Sequence, residues 1–348
     1  MHQHTTFSKF IIEHQRQPAL HGPELAGLLN DIQTACKFIA MAVSRGTFDA
    51  GGASAPLREV ANDIMVDTCE FGGQLSGILS DALEDVRPRP AAGLRGRYLL
   101  LFDPLDGAAN LDINATVGTI FSVLNAPSGV AEPRSEDFLQ PGTHQVAAGY
   151  ALYGPESMMV VTFGTGVQGF TLDRAIGAYM LTHPAMRIDE ATSEIAVSSS
   201  AERFWEPCIR RYVGECLEGA AGTRGTDFHV RRITSVIPEI HRILIRGGLF
   251  IHPSERRDPT NPCLLRLLTK ANPLAMLIEQ AGGAASTGRQ RVLEIVPKDI
   301  GQQAAMVLGA RQEVERLVRY HETYDRGEPL VFESPLFNTR SLFRDAWA

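Results

Sequence analysis

The sequence predicts a mixed α/β (α+β) protein in which a helical start leads into a meander of strands packed against helices. Two observations carry that prediction. Apolar residues recur at helical spacing near the start, and beyond residue 98 short apolar runs follow one another, separated by Gly, Pro and Asn clusters. Over residues 25–43, Leu25, Leu28, Leu29, Ile32, Cys36, Ile39, Ala40 and Val43 stand three or four positions apart, the spacing of an amphipathic helix. Gly51-Gly52 and Pro56 break the pattern, and a second helix is expected over residues 60–79. Tyr98-Leu99-Leu100-Leu101-Phe102 suits a strand buried on both faces, ending in a turn at Asp103-Pro104. Residues 117–124, 146–153, 158–163 and 167–172 read as further strands, with Gly154-Pro155-Glu156-Ser157 as a hairpin connection. Asn272-Pro273, then residues 274–281 and Gly282-Gly283, give a helix with a cap residue, proline at its first position and glycine past its end. Residues 311–320 read as another helix, and Pro335 and Phe337 lie in a docked tail or loop. A polar stretch between Met186 and Val197 separates an N-terminal domain, 1–190, from a C-terminal one, 191–348.

At 348 residues the chain has the length of about two domains. Its 33 basic and 40 acidic residues give a net charge of -7, which disfavours non-specific nucleic-acid binding, so any anionic ligand must meet a local site. Cys36, Cys69, Cys208, Cys216 and Cys263 form no Cys-x-x-Cys pair or zinc spacing and are expected as buried, reduced thiols. The first ten residues do not read as a secretory signal, and no apolar run approaches the ~20 residues that span a bilayer, so a cytoplasmic protein without membrane contact is expected.

The chemistry concentrates in Phe102-Asp103-Pro104-Leu105-Asp106-Gly107-Ala108-Ala109-Asn110-Leu111-Asp112. Asp103 and Asp106 at the end of a buried strand can converge on a divalent cation, with the Leu105 carbonyl as a third oxygen donor, because hard cations such as Mg²⁺ take oxygen ligands. Gly107 lets backbone N–H groups approach an anion. Asp-Pro and Asp-Gly also suit an ordinary turn, so the residues alone leave both readings open.

The run D-P-L-D-G-x-x-N-x-D followed by Val117-Gly118-Thr119-Ile120-Phe121-Ser122 resembles the class 1 fructose-1,6-bisphosphatase family. So do Asn272-Pro273-Leu274-Ala275 with Glu279-Gln280-Ala281-Gly282-Gly283, and Phe7-Ser8-Lys9-Phe10-Ile11-Ile12-Glu13. His241-Arg242-Ile243-Leu244 with Gly247-Gly248, and Pro297-Lys298-Asp299-Ile300, extend the likeness over nearly the whole chain. The resemblance implies the layered αβαβα sugar-phosphatase fold of the fructose-1,6-bisphosphatase and inositol monophosphatase type. It further implies a homotetramer, a place in carbohydrate metabolism such as gluconeogenesis or the Calvin cycle, and Mg²⁺-dependent hydrolysis of the 1-phosphate of fructose 1,6-bisphosphate or a related sugar phosphate. By residue-for-residue match it assigns metal binding to Asp81, Asp103, Leu105 and Asp106, with Asp103, Asp106 and Asp81 catalytic. It assigns substrate contact to Gly107, Ala108, Ala109, Ser198, Arg231, Arg232 and His252.

The sequence departs from the family's pattern where the metals should be balanced. Ser80-Asp81-Ala82 stands for a Ser followed by two glutamates, Lys270 for a glutamate, and Gly52 and Arg58 for two further acids. Glu59, Glu84 or Asp85 could take over a lost acid in another alignment. Ala108 and Ala109 replace two serines, while Ser198, Ala201, Arg232, His252 and Leu264 replace other substrate contacts. At the family's AMP site, His21-Gly22-Pro23-Glu24-Leu25-Ala26 loses a backbone donor at Pro23 and a hydroxyl at Ala26, while Arg97 and Tyr98 keep the basic and aromatic character. Weakened hydrolysis is therefore expected. The alternatives are an inactive paralogue acting as a structural or regulatory subunit, including a hetero-oligomer with an active relative, or a sugar-phosphate sensor using Arg58, Arg231, Arg232 and Lys270.

Overall fold

The computed structural model describes residues 5–15, 22–46, 54–88, 96–128, 133–231, 235–254 and 264–328. Helices α1 (Phe7–Gln15), α2 (Gly22–Arg45) and α3 (Ser54–Phe71) open the chain. The apolar stripe of α2 does what its spacing predicts, since Leu25, Leu28, Leu29, Ile32, Cys36 and Ile39 are all buried. The second helix ends earlier than expected. After Gly72-Gly73, residues expected as helix form strand β1 (Leu75–Ser80), buried at every position and paired in parallel with a later strand. The run Leu-Ser-Gly-Ile-Leu-Ser is too short to reveal a period, and its neighbour in the sheet decides its conformation.

Strands β2 (Arg87–Pro88), β3 (Tyr98–Asp106), β4 (Val117–Asn125), β5 (Gln145–Tyr153), β6 (Ser157–Thr162), β7 (Val167–Asp173) and β8 (Ala178–Met186) complete a sheet in the order β2-β1-β3-β4-β5-β6-β7-β8. Only β1 and β3 run parallel; the other neighbours are antiparallel. β3 does not stop at Asp103-Pro104 but continues through Leu105 and Asp106. Its register against β4 shifts between Asp103 and Asp106, and that irregularity accommodates Pro104, which has no N–H for the ladder. β8 carried no clear sequence signal because, as an edge strand, it buries only part of its length.

The second half contains β9 (Glu194–Val197), α4 (Pro207–Leu217), β10 (His229–Arg231), α5 (Val236–Arg246), β11 (Leu249–His252), β12 (Leu265–Arg266), α6 (Asn272–Gln280), β13 (Ala284–Ser286), β14 (Gln303–Ala304), β15 (Met306–Gly309) and α7 (Arg311–Asp325). A second sheet has the order β10-β9-β11-β15-β13, and β12 pairs with β14. Asn272 does not cap α6. A π-helical turn, Leu267–Ala271, runs directly into the helix and leaves Asn272 at helical angles.

The alternation of side chains sets the layers. Tyr98, Leu100 and Phe102 of β3 face α1 to α3, while Ile120, Ala148 and Tyr150 on the opposite face of the sheet meet α5 and α6. Phe250 and Leu308 of the second sheet close that middle layer, and its outer face, with Ile195, Leu249 and Ile251, packs on α4 and α7. The result is the αβαβα stack, each fully buried Leu, Ile or Phe contributing roughly 1.5–3 kcal/mol by leaving water. Cys36, Cys69, Cys208 and Cys216 are buried free thiols as expected, and Cys263 lies outside the described residues.

Candidate active site

β1 and β3 run side by side, so Asp81, just past the end of β1, stands beside the Asp103–Asp106 end of β3; the Asp81 N–H donates to the Phe102 carbonyl (2.9 Å). Gly107 then turns the chain at φ 78° into a short 3₁₀ segment, Ala108–Asn110, a conformation that residues with a Cβ resist. Ser235 stands 2.9 Å from where a Cβ on Gly107 would lie. Asp103 and Asp106 are almost wholly buried, with 1% and 5% exposure. The three predicted acids are therefore brought together.

What meets them is positive. Lys270, on the π turn, places Nζ 2.8 Å from Asp103 Oδ2, 3.1 Å from Asp106 Oδ1 and 4.0 Å from Asp81 Oδ2. Arg58, on α3, donates from Nη2 to the Asp81 carbonyl at 2.9 Å and to Asp81 Oδ2 at 3.2 Å, and lies 3.5 Å from Asp103 Oδ1. Arg266 Nε is 3.0 Å from Asp81 Oδ1, to which the Thr269 hydroxyl also donates (3.3 Å). Asp106 Oδ2 accepts the backbone N–H groups of Val236 (3.2 Å) and Ile237 (3.3 Å), which puts a carboxylate at the positive end of α5.

Burial raises the Asp106 pKa, Lys270 opposes that rise, and the adjacent Asp103 charge adds to it. Burial alone would lower the Lys270 pKa, but Asp103 and Asp106 outweigh it and hold the ammonium above its ordinary range. Lys270 therefore stays charged at neutral pH. A divalent cation is held by oxygen ligands in a net negative cage, and this cluster, with an ammonium and two guanidinium groups on three carboxylates, is not one. As they stand, these residues do not fit the metal set that the family resemblance implies.

The acids offered as replacements do not join the cluster. Glu59 and Glu84 are exposed, and Asp85 accepts from Ser135 (2.9 Å); Gly52 lies outside the described residues. Ala108 packs on the first core, Ala109 is exposed, and the side chain of Leu105 is buried in that core. Ser198, Arg231 and His252 stand elsewhere, at the carboxyl ends of the parallel strands β9, β10 and β11. Ligands favour that edge of a sheet, but Arg231 is held by Glu194 at 2.8 and 3.3 Å, and Arg232 lies outside the described residues. Near the matching AMP region Arg97 is 3.2 Å from Glu24, Ala26 and Tyr98 are buried, and His21 is not among the described residues.

Sequence reasoning missed Arg266, Thr269 and the α5 N–H groups. Nothing in the sequence announces the π turn that aims the first two. It also missed Glu206, Cys208 and His321, whose donor atoms lie within 4.8 Å of one another. Arg289 already binds Glu206 (3.0 Å), and burial, then Glu206, pushes the Cys208 thiol up to about 11. Asp81, Asp103 and Asp106 do not form such a group, the described residues giving only the one at Cys208.

Comparison with known proteins decides the lineage. Residues 5–184 match the family described as Fructose-1-6-bisphosphatase, N-terminal domain, and residues 188–322 match its C-terminal domain. A fructose-1,6-bisphosphatase class 1 from Methylacidiphilum infernorum is 50% identical over 350 residues, covering 98% of each chain. The chain belongs to the class 1 fructose-1,6-bisphosphatase family. A class 1 relative from Hydrogenophilus thermoluteolus is 46% identical over 352 residues, covering 98% of this chain and 97% of its own. The crystal structure of Leishmania major fructose-1,6-bisphosphatase in holo form superposes with a TM-score of 0.82 at 32% identity, covering 91% of this chain and 99% of that one. The αβαβα stack is thus the fold of the fructose-1,6-bisphosphatase family, and the aspartates lie in the half that matches its N-terminal domain.

Proposed function

We propose that this chain is a sugar-phosphate phosphatase of fructose-1,6-bisphosphatase type, acting in carbohydrate metabolism, whose hydrolysis of fructose 1,6-bisphosphate or a related sugar phosphate is strongly weakened. Full-length likeness to class 1 fructose-1,6-bisphosphatases supports the reaction class. One observation supports the weakening: Lys270 Nζ lies 2.8 Å from Asp103 and 3.1 Å from Asp106, where the resemblance would place divalent metal. Without the ion, the chain's own groups can still bind and orient. Arg231 and His252 stand on either side of Ser198 at the strand ends, and the Gly107 turn offers backbone N–H groups to a phosphate. The sensor reading is less supported, because Arg58 and Lys270 are spent on aspartates and Arg231 on Glu194, while Arg232, its fourth cation, lies outside the described residues.

The test is phosphate release by the pure chain from fructose 1,6-bisphosphate and a panel of sugar phosphates, with Mg²⁺ or Mn²⁺. Turnover is expected well below the ~1–10³ per second of ordinary enzymes, and residual activity should vanish in Asp103→Ala. Turnover within that ordinary range overturns the reading.

A second reading is favoured by an intact fold around a filled site: a non-hydrolysing subunit of a homotetramer, or of a hetero-oligomer with an active relative. Phe38 and Met41 on α2, 49% and 47% exposed, are apolar surface that an assembly would cover. The domain division at 190/191 and a cytoplasmic location belong to the same proposal. No described helix is long and apolar enough to cross a membrane.

A further inference from the structure

We propose that Arg58, Lys270 and Arg266 are built-in counter-ions that take the structural place of divalent metal, so that the site is assembled, and closed to divalent cations, without any ion. This rests on the functional reading above and goes further, since it assigns the exclusion to particular residues and says what reverses it. The first support is occupancy. All six carboxylate oxygens of the three aspartates already have a donor or cation: Asp81 Oδ1 has Arg266 and Thr269, and Asp81 Oδ2 has Arg58. Asp103 Oδ1 has the Leu105 N–H (3.3 Å) and Arg58, and Asp103 Oδ2 has Lys270. Asp106 Oδ1 has Lys270, and Asp106 Oδ2 has the two N–H groups of α5.

The second support is charge. Three carboxylates against three cations leave no net attraction for an incoming divalent ion, which would instead meet an ammonium with only 17% side-chain exposure at short range. The third is redundancy. Arg58 comes from α3 in the first half and Lys270 from the π turn in the second, and both approach Asp103 from opposite oxygens. Replacing Lys270 alone would leave Arg58 on Asp81 and Asp103. Metal binding should therefore return only when both cations are removed, and most when both positions become acidic.

Manganese titration of the full chain, with free Mn²⁺ read by its paramagnetic resonance signal, tests this without reference to turnover. Wild type should show no site tighter than millimolar, Lys270→Glu little more, and the double variant Arg58→Asp with Lys270→Glu on the order of 100-fold tighter binding. Circular dichroism and calorimetry establish that each variant unfolds cooperatively; should the double acidic variant not fold, Arg58→Gln with Lys270→Gln takes its place, with a smaller gain of the same sign. Sub-millimolar Mn²⁺ binding by wild type at the aspartates, abolished by Asp103→Ala, overturns the proposal. So does a folded double variant that binds no better than wild type. Brisk hydrolysis by a wild type that binds no Mn²⁺ would sink the functional reading while leaving this one standing.

Discussion

At the scale of single residues, Lys270 carries more than its own bonds. Removing one partner of a buried ion pair strands the other, at a cost of about 3–5 kcal/mol, and here two buried acids, Asp103 and Asp106, would be stranded together. Lys270→Met should therefore lower the free energy of unfolding at neutral pH by about 3 kcal/mol, measured by urea denaturation. The loss should shrink on acidification, because burial already raises the Asp106 pKa and a protonated Asp106 needs no counter-ion. His241 behaves oppositely. Its Nδ1 lies 2.8 Å from the Tyr150 hydroxyl, and burial, with His183 nearby, lowers its pKa from 6.5 to about 4. A pKa depressed on folding gives stability that is fully present above pH 6.5 and lost as pH falls from 6.5 towards 4. The loss is at most ~3 kcal/mol. His241→Gln should flatten the stability profile across that window, and an unchanged slope would assign it to other groups.

At the scale of elements, the site exists because three short pieces of backbone end at one place: β3 with its irregular register at Pro104, the loop after β1, and the π turn before α6. Gly107 makes the first of these possible. Gly107→Ala must hold φ 78° with a Cβ that meets Ser235 at 2.9 Å, and should cost about 2 kcal/mol, read as a lower melting temperature. How far these elements were legible follows from their length and burial. α2 is long and one-sided, so its period was plain, and β3 announced itself as an unbroken apolar run. β1 and β8 were not legible, the first too short to distinguish helix from strand, the second an edge with mixed burial. The aspartates and the opposing Lys270 and Arg58 could be named from the sequence. That the cations reach the carboxylates was not legible, because it depends on a π turn and on a parallel β1–β3 pairing that no local pattern encodes.

At the scale of the whole molecule, the counter-ions also tie the two halves together. Asp81, Asp103 and Asp106 belong to the first sheet and its connections, whereas Lys270, Arg266, Thr269 and the N-terminus of α5 belong to the second half, so four groups of the second half reach across to the aspartates of the first. A metal in that position would make stability depend on ion concentration, since a ligand at a hundred times its dissociation constant adds about 2.7 kcal/mol to a folded state that alone binds it. A lysine is always present at full occupancy. The melting temperature of the wild-type chain should accordingly be the same in excess chelator and in millimolar Mg²⁺, and the transition should remain single because the halves share the buried carboxylates. The Arg58→Asp, Lys270→Glu variant should reverse that behaviour: five acids then crowd one place, so it should melt low in chelator and recover several degrees with Mg²⁺. Differential scanning calorimetry of both proteins in the two buffers decides it. A wild-type melting temperature that falls in chelator would mean that a divalent ion, and not Lys270, holds the aspartates in the folded protein.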